Sequence, residues 1–170
     1  DFPQIEAVAR LLPSSGAIRY DSPDGNTVNL LEESFAYLDP QWFEMFTHPF
    51  VQGNPATAFD SPAGLVLTEE AARRYLGDRD PLGQVVNYEG VDLTVTGVIK
   101  AIPESSHYTF EAAASIAAFN VSQGLPADDV HDSYWWPFGY TYVLLKDGAD
   151  ANALGAALPD FAIRHREEGA

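Results

Sequence analysis

The chain has 170 residues, 46% hydrophobic and 12% aromatic, enough for one full core or for two small lobes sharing an interface. Its 25 acidic residues against 9 basic ones give a net charge of −16, a surface that repels phosphate backbones and anionic lipid headgroups and argues against nucleic-acid binding. The absence of cysteine removes disulfides, thiolate chemistry and Cys-based zinc sites.

No apolar run approaches the roughly 20 residues needed to span a bilayer, and the start carries no signal-peptide pattern. The chain opens on Asp1 rather than Met, so the expectation is a soluble piece whose export signal or membrane anchors lie outside it.

Ile5, Val8, Ala9 and Leu12 stand at helical spacing, with Pro3 in the first turn, so 1–12 is predicted as a helix that Pro13-Ser14-Ser15-Gly16 ends. Residues 17–20 read as a short strand, Ser22-Pro23-Asp24-Gly25-Asn26 as a turn, and 27–38 as mainly strand, together a hairpin. In 39–46, Asp39 can cap and Pro40 begin a short apolar helix carrying Trp42, Phe43, Met45 and Phe46. A loop over 53–62 follows.

Residues 63–107 form the most self-contained stretch. Gly64 to Leu67 read as a strand, and Thr68 as the N-cap of a helix with Glu69 and Glu70 in its first turn. Ala71, Ala72, Tyr75 and Leu76 face inward, Arg73 and Arg74 suit the C-terminal end, and Gly77 is the C′ residue. Strands over 84–88 and 91–99 meet at Glu89-Gly90. Val91, Leu93 and Val95 alternate with polar residues until Gly97, which signals a bulge or a close backbone approach. Residues 108–115 are a further strand candidate, 116–124 fit either helix or strand, and 125–133 are a polar loop. Tyr140 to Leu145 are predicted as a central strand. A helix over 151–166 has Leu154, Ala157, Leu158, Phe161 and Ile163 on its apolar face, with a kink or break at Pro159. The mixture is α+β rather than a regular βαβ array.

Chemistry is sparse. His48, His107, His131 and His165 lack the short spacing of a helical metal pair, and no G-x-S-x-G, G-x-G-x-x-G or P-loop pattern occurs. No catalytic, metal or cofactor residue is assigned. The candidate contact residues are Tyr134, Trp135 and Trp136: adjacent tryptophans on a strand face opposite sides, and an exposed one can stack on a sugar or anchor a protein partner. Core packing is the competing account of the same residues.

The run Tyr37-Leu38-Asp39-Pro40-Gln41-Trp42-Phe43-Glu44-Met45-Phe46, followed by Pro49-Phe50-Val51-Gln52-Gly53-Asn54-Pro55, resembles MacB-like periplasmic core domains of FtsX/MacB-type ABC transporter permeases. The likeness continues through Leu65-Val66-Leu67-Thr68-Glu69-Glu70-Ala71-Ala72, Asp80-Pro81-Leu82-Gly83, Val95-Thr96-Gly97-Val98-Ile99-Lys100, Pro103-Glu104-Ser105-Ser106-His107 and Thr141-Tyr142-Val143-Leu144-Leu145. It departs at Leu76, where the family usually has Phe, and at the start, which reads as lacking the strand that commonly follows the first transmembrane helix.

The resemblance implies a two-lobed α+β domain outside the cytoplasmic membrane of a bacterium. Residues 1–49 plus 105–170 would form a membrane-proximal, porter-like lobe, and 50–104 an inserted, sabre-like lobe. It implies no enzyme activity and no cofactor. A cytoplasmic ATPase, reached through transmembrane segments, would be the energy source, with a permease dimer in the full assembly and a periplasmic protein as a further partner. ATP hydrolysis would thereby be coupled to substrate export or mechanical signalling. The competing functions are a secreted glycan- or protein-binding module that uses Trp135 and Trp136, and a hydrolase with an unrecognised carboxylate site.

Overall fold

The computed structural model describes residues 2–22, 24–127 and 139–168. In chain order its elements are β1 (Ile5–Asp21), β2 (Thr27–Leu38), α1 (Trp42–Met45), β3 (Phe50–Gly53), β4 (Gly64–Thr68), α2 (Glu69–Leu76), β5 (Val85–Tyr88), β6 (Val91–Ile99), β7 (Ala112–Ser115), α3 (Ile116–Ser122), β8 (Tyr140–Leu145) and α4 (Ala151–Glu168). The fold is α+β, as the sequence pattern implies.

The predicted first helix is instead the start of a 17-residue strand. Ala7, Ala9 and Leu11 alternate inward as well as Ile5, Val8, Ala9 and Leu12 fit a helix, so spacing alone cannot decide. Two partner strands decide it: β8 pairs along Ile5 to Leu11, and β2 along Leu11 to Asp21. The start of the chain, read as lacking a strand, therefore carries one. Pro13-Ser14-Ser15-Gly16 does not end the element; the β1–β2 register shifts between Ser14 and Gly16 as a bulge. Arg10 turns its N–H and C=O toward Asp39, so strand alternation aims Pro13's nitrogen away from β2. On that side β1 has no ladder among the described residues between its β8 and β5 pairings, so the missing N–H costs no bond to them.

The ladders close on themselves. β1 pairs with β2, β2 with β7, β7 with β4, β4 with β6, β6 with β5, and β5 with β1 again. β3 lies beside β6, and β8 beside the start of β1. The strands of 50–104 thus hydrogen-bond to both flanking segments, through β4–β7 and β5–β1. β8, predicted as central, stands at the end of the strand order, with Tyr140, Val143 and Leu144 exposed.

Both faces are packed. One core gathers Ile18, Phe35, Leu65, Leu67, Leu93 and Val95 under α2 and α3. The other places Trp42 and Phe43 of α1, with Phe59 and Phe110, over Ala9, Leu38, Val66, Ile99 and Ala113. The three alanines of β7 are wholly buried, one facing the second core and two the first. Their small side chains let this strand run between two occupied layers despite a low strand propensity.

The middle unit forms as its caps and turns predict. Thr68 Oγ1 accepts the Ala71 N–H at 3.2 Å, and Gly77 takes φ of 64° while its N–H reaches Arg73 O at 2.9 Å. Gly97 marks a true bulge: Leu65 pairs with Val95 and Val66 with Gly97, leaving Thr96 out of register. The single Thr96 O–H is then shared between the carbonyls of Ala58 at 2.7 Å and Leu65 at 3.1 Å. Of 108–115, only Ala112 to Ser115 are strand, and the undecided segment after it is α3, capped by Ser115. α4 continues through Pro159 without a break. Lacking an N–H, Pro159 leaves the carbonyl of Gly155, four positions earlier, without its usual helical bond. Of its predicted apolar face, Leu154 is buried and Phe161 packs on Phe2 at 5.2 Å, but Leu158 and Ile163 are exposed.

Candidate functional site

Three side-chain clusters hold helices and loops to this sheet. The first fixes α2. Glu32 continues the inward parity of Val28 and Leu30 on β2, so a carboxylate is carried under the helix, where its side chain is 6% exposed. Arg74 NH2 meets Glu32 Oε2 at 2.6 Å, Tyr75 O–H donates to the same oxygen, and the Ser34 N–H donates to Oε1 at 3.0 Å. Arg74 NH1 also lies 3.4 Å from Glu111 Oε2, which accepts the Thr68 hydroxyl at 3.1 Å. Burial, and then the Glu32 carboxylate, push the Tyr75 phenol far up, so it stays a proton donor.

The second cluster is a clasp. The carboxylate of Asp39, the predicted cap of α1, takes Arg10 instead: Nε at 2.9 Å, NH2 at 2.8 Å and the backbone N–H at 2.8 Å. Two bonds to a guanidinium of opposite charge outweigh one cap bond to an uncharged backbone N–H. α1 starts on Gln41 with no side-chain cap, and Asp39 contributes only its carbonyl, to Trp42 N–H at 3.0 Å.

The third is aromatic. The Trp42 ring lies 4.3 Å from Phe46, 5.0 Å from Tyr108 and 5.3 Å from Tyr142. Its Nε1–H donates to His48 Nε2 at 3.2 Å, and the Tyr108 hydroxyl is 3.3 Å from the same nitrogen. An indole N–H can only donate, so Nε2 carries the lone pair and the imidazole is neutral. Burial pushes the His48 pKa below the usual histidine value, in keeping with that role. A groove of about 550 Å³ opens beside His48 and Tyr108.

These clusters brace the fold; none is arranged for bond making. The carboxylates that converge, Glu32 and Glu111, do so on Arg74 and not on an open cleft. Among the described residues no group of three or more His, Asp and Glu is placed to hold a metal ion. The predicted contact residues Tyr134, Trp135 and Trp136 lie outside the described residues. Sequence reasoning misses the Glu32 cluster, although a glutamate on the apolar parity of β2 is a readable sign of a buried partner. The Arg10–Asp39 clasp leaves no such sign, because reading 1–12 as a helix puts Arg10 on the wrong element.

A family model described as MacB-like periplasmic core domain matches residues 1–161. Solved structures share the fold. A domain of a putative permease protein from Porphyromonas gingivalis aligns with TM-score 0.73 and 20% identity over 97% of this chain and 72% of that one. The periplasmic region of MacB from Actinobacillus actinomycetemcomitans gives 0.64 and 16% over 97% and 70%. The extracellular domain of the noncanonic ABC-type transporter YknZ from Gram-positive bacteria gives 0.59 and 14% over 91% and 71%. No curated protein matches the chain. The family match over nearly the whole length places the chain: it belongs to the MacB-like periplasmic core domain family, the periplasmic region of MacB/FtsX-like ABC transporter permeases.

Proposed function

We propose that this domain is the extracytoplasmic coupling element of its permease, moved by ATP hydrolysis in a cytoplasmic ATPase and acting on substrate export or signalling through protein contacts. The observation that carries the reading is where the two ends of the fold meet. Ile5 pairs with Leu145, Lys146 N–H donates to Gln4 O at 2.9 Å, and Phe2 packs on Phe161 of α4. A domain driven by two membrane segments needs entry and exit side by side, so that their displacement moves the domain as a body. The closed circuit of ladders and the Arg74 and Arg10 braces keep that motion from dissipating inside the domain.

The test uses the full permease with its ATPase in proteoliposomes, spin-labelled at exposed Val121 of α3. The distance between the two copies in the permease dimer is expected to change between nucleotide-free and ATP-bound states. An unchanged distribution refutes the coupling role.

Within the domain, 1–49 plus 105–170 form the membrane-proximal lobe and 50–104 the inserted one. Support comes from the contiguous strand–helix–hairpin unit of β4, α2, β5 and β6, with the β4–β7 and β5–β1 ladders as joints. Native-state hydrogen exchange in which 50–104 open as their own block supports this division, and a single block for the whole chain refutes it.

A further inference from the structure

We infer that the groove beside Lys100 is a binding site for a small aromatic anion, a carboxylate or sulfonate carried on a flat apolar body. Its volume, about 550 Å³, falls in the range of ligand pockets. Its walls come from three irregular segments that backbone bonds hold in place: Lys100 N–H to Pro49 O at 3.0 Å joins two of them, and Ser106 N–H to Pro103 O at 2.9 Å shapes the third. Tyr108, anchored against Trp42 and Phe110, gives one wall a fixed ring. Pro49, Ile102 and Pro103 complete a surface on which a planar ring can stack.

Charge decides the sign of the ligand. The chain has 25 acidic residues, yet none of the ten that line the groove is acidic; Glu104, which follows Pro103, is exposed and outside the lining. Lys100 is exposed at the rim, and its side-chain ammonium makes no ion pair or hydrogen bond among the described residues. Several other cations are already engaged, Arg10 and Arg74 in ion pairs, Arg79 with Leu76 O at 3.1 Å and Lys146 with Pro3 O, while Arg19 and Arg73 stand exposed outside this groove. A free ammonium in a recess without acidic residues is thus a positive island on a strongly negative surface, and Ser105 and Ser106, which line the same groove, bring hydroxyls that can share an anionic head.

The test is a fluorescence titration of the 170-residue chain with anilinonaphthalene sulfonate at low ionic strength, with amide NMR shifts to locate the probe. Saturable binding is expected, with shifts over 47–49 and 100–108. Lys100→Glu turns attraction into repulsion and should weaken binding by about tenfold, whereas Lys100→Arg stays within about threefold. Arg19→Glu makes the same change in net charge at an exposed position on β1 and should leave affinity within about twofold of the parent. Equal weakening by Lys100→Glu and Arg19→Glu would show that only overall charge matters and overturns the site. So do shifts confined to the exposed Tyr140 and Leu144 of β8, or the absence of saturation.

Discussion

Replacing Arg74 by methionine isolates the contribution of the α2 brace. The Glu32 side chain is 6% exposed and that of Arg74 38%, so the substitution strips the cation from a carboxylate with almost no water. Tyr75 O–H and Ser34 N–H remain as donors, but no positive charge does. Breaking a fully buried pair costs about 3–5 kcal/mol. Because more than a third of Arg74 is exposed, water partly replaces it, and the expected loss falls to about 2–3 kcal/mol. For a chain of this size that lowers Tm by roughly 5–10 °C. Urea unfolding followed by circular dichroism gives the free energy, and a thermal scan the Tm. Glu32→Gln on the same background removes the stranded charge, so the double variant should be more stable than the sum of the two single losses by about 0.5–3 kcal/mol. Arg74→Met within about 0.5 kcal/mol of the parent would refute the claim that this pair bears on the fold.

The His48 environment sets a pH dependence. Its folded-state pKa is depressed by burial below the 6.5 of the unfolded chain, so on acidification the unfolded state binds the proton first. Its contribution to stability is full above about pH 6.5 and is lost as pH falls from there toward the depressed value. Urea midpoints across that window should drop for the parent and stay flatter for His48→Gln, whose amide oxygen still accepts from Trp42; parallel loss in both sinks the assignment. Gly53 takes φ of 84°, and a Cβ there would strike the Thr96 carbonyl oxygen and lie 2.8 Å from Gly97 Cα. Gly148, at φ of 77°, has nothing within 4 Å. Gly148→Ala should cost only backbone strain, about 1 kcal/mol, and Gly53→Ala clearly more, about 2–4 kcal/mol; equal thermal shifts would deny the close approach at β3. Finally, if Tyr134, Trp135 and Trp136 contact a partner, Trp135→Ala or Trp136→Ala should weaken capture of the periplasmic partner, or of a glycan in a carbohydrate screen, about tenfold or more without lowering Tm. Undiminished binding by both variants removes these residues from the contact.

Much of this fold is local chemistry and is legible in the sequence. Thr68, the acidic first turn, Gly77 and the alternation from Val91 to Val95 each act within a few residues, so caps, dipole and pleat set α2 and β6 whatever surrounds them. Gly97 announces its bulge for the same reason. The ordered motifs from Tyr37 to His107 are enough to indicate the family, because they record many such local constraints in sequence.

Other features belong to the tertiary structure alone. The residues Ile5, Val8, Ala9 and Leu12 satisfy a helix, while Ala7, Ala9 and Leu11 satisfy a strand, and only ladders to β2 and β8, far along the chain, break the tie. Tyr140 to Leu145 are apolar enough for a central strand, but neighbours and not composition make a strand central, and β8 has β1 on one side only among the described residues. Arg10 finds Asp39, Arg74 finds Glu32, and Lys100 is left without a counter-charge among the described residues. Those pairings depend on which strands lie side by side, a matter of long-range register that no window of sequence contains.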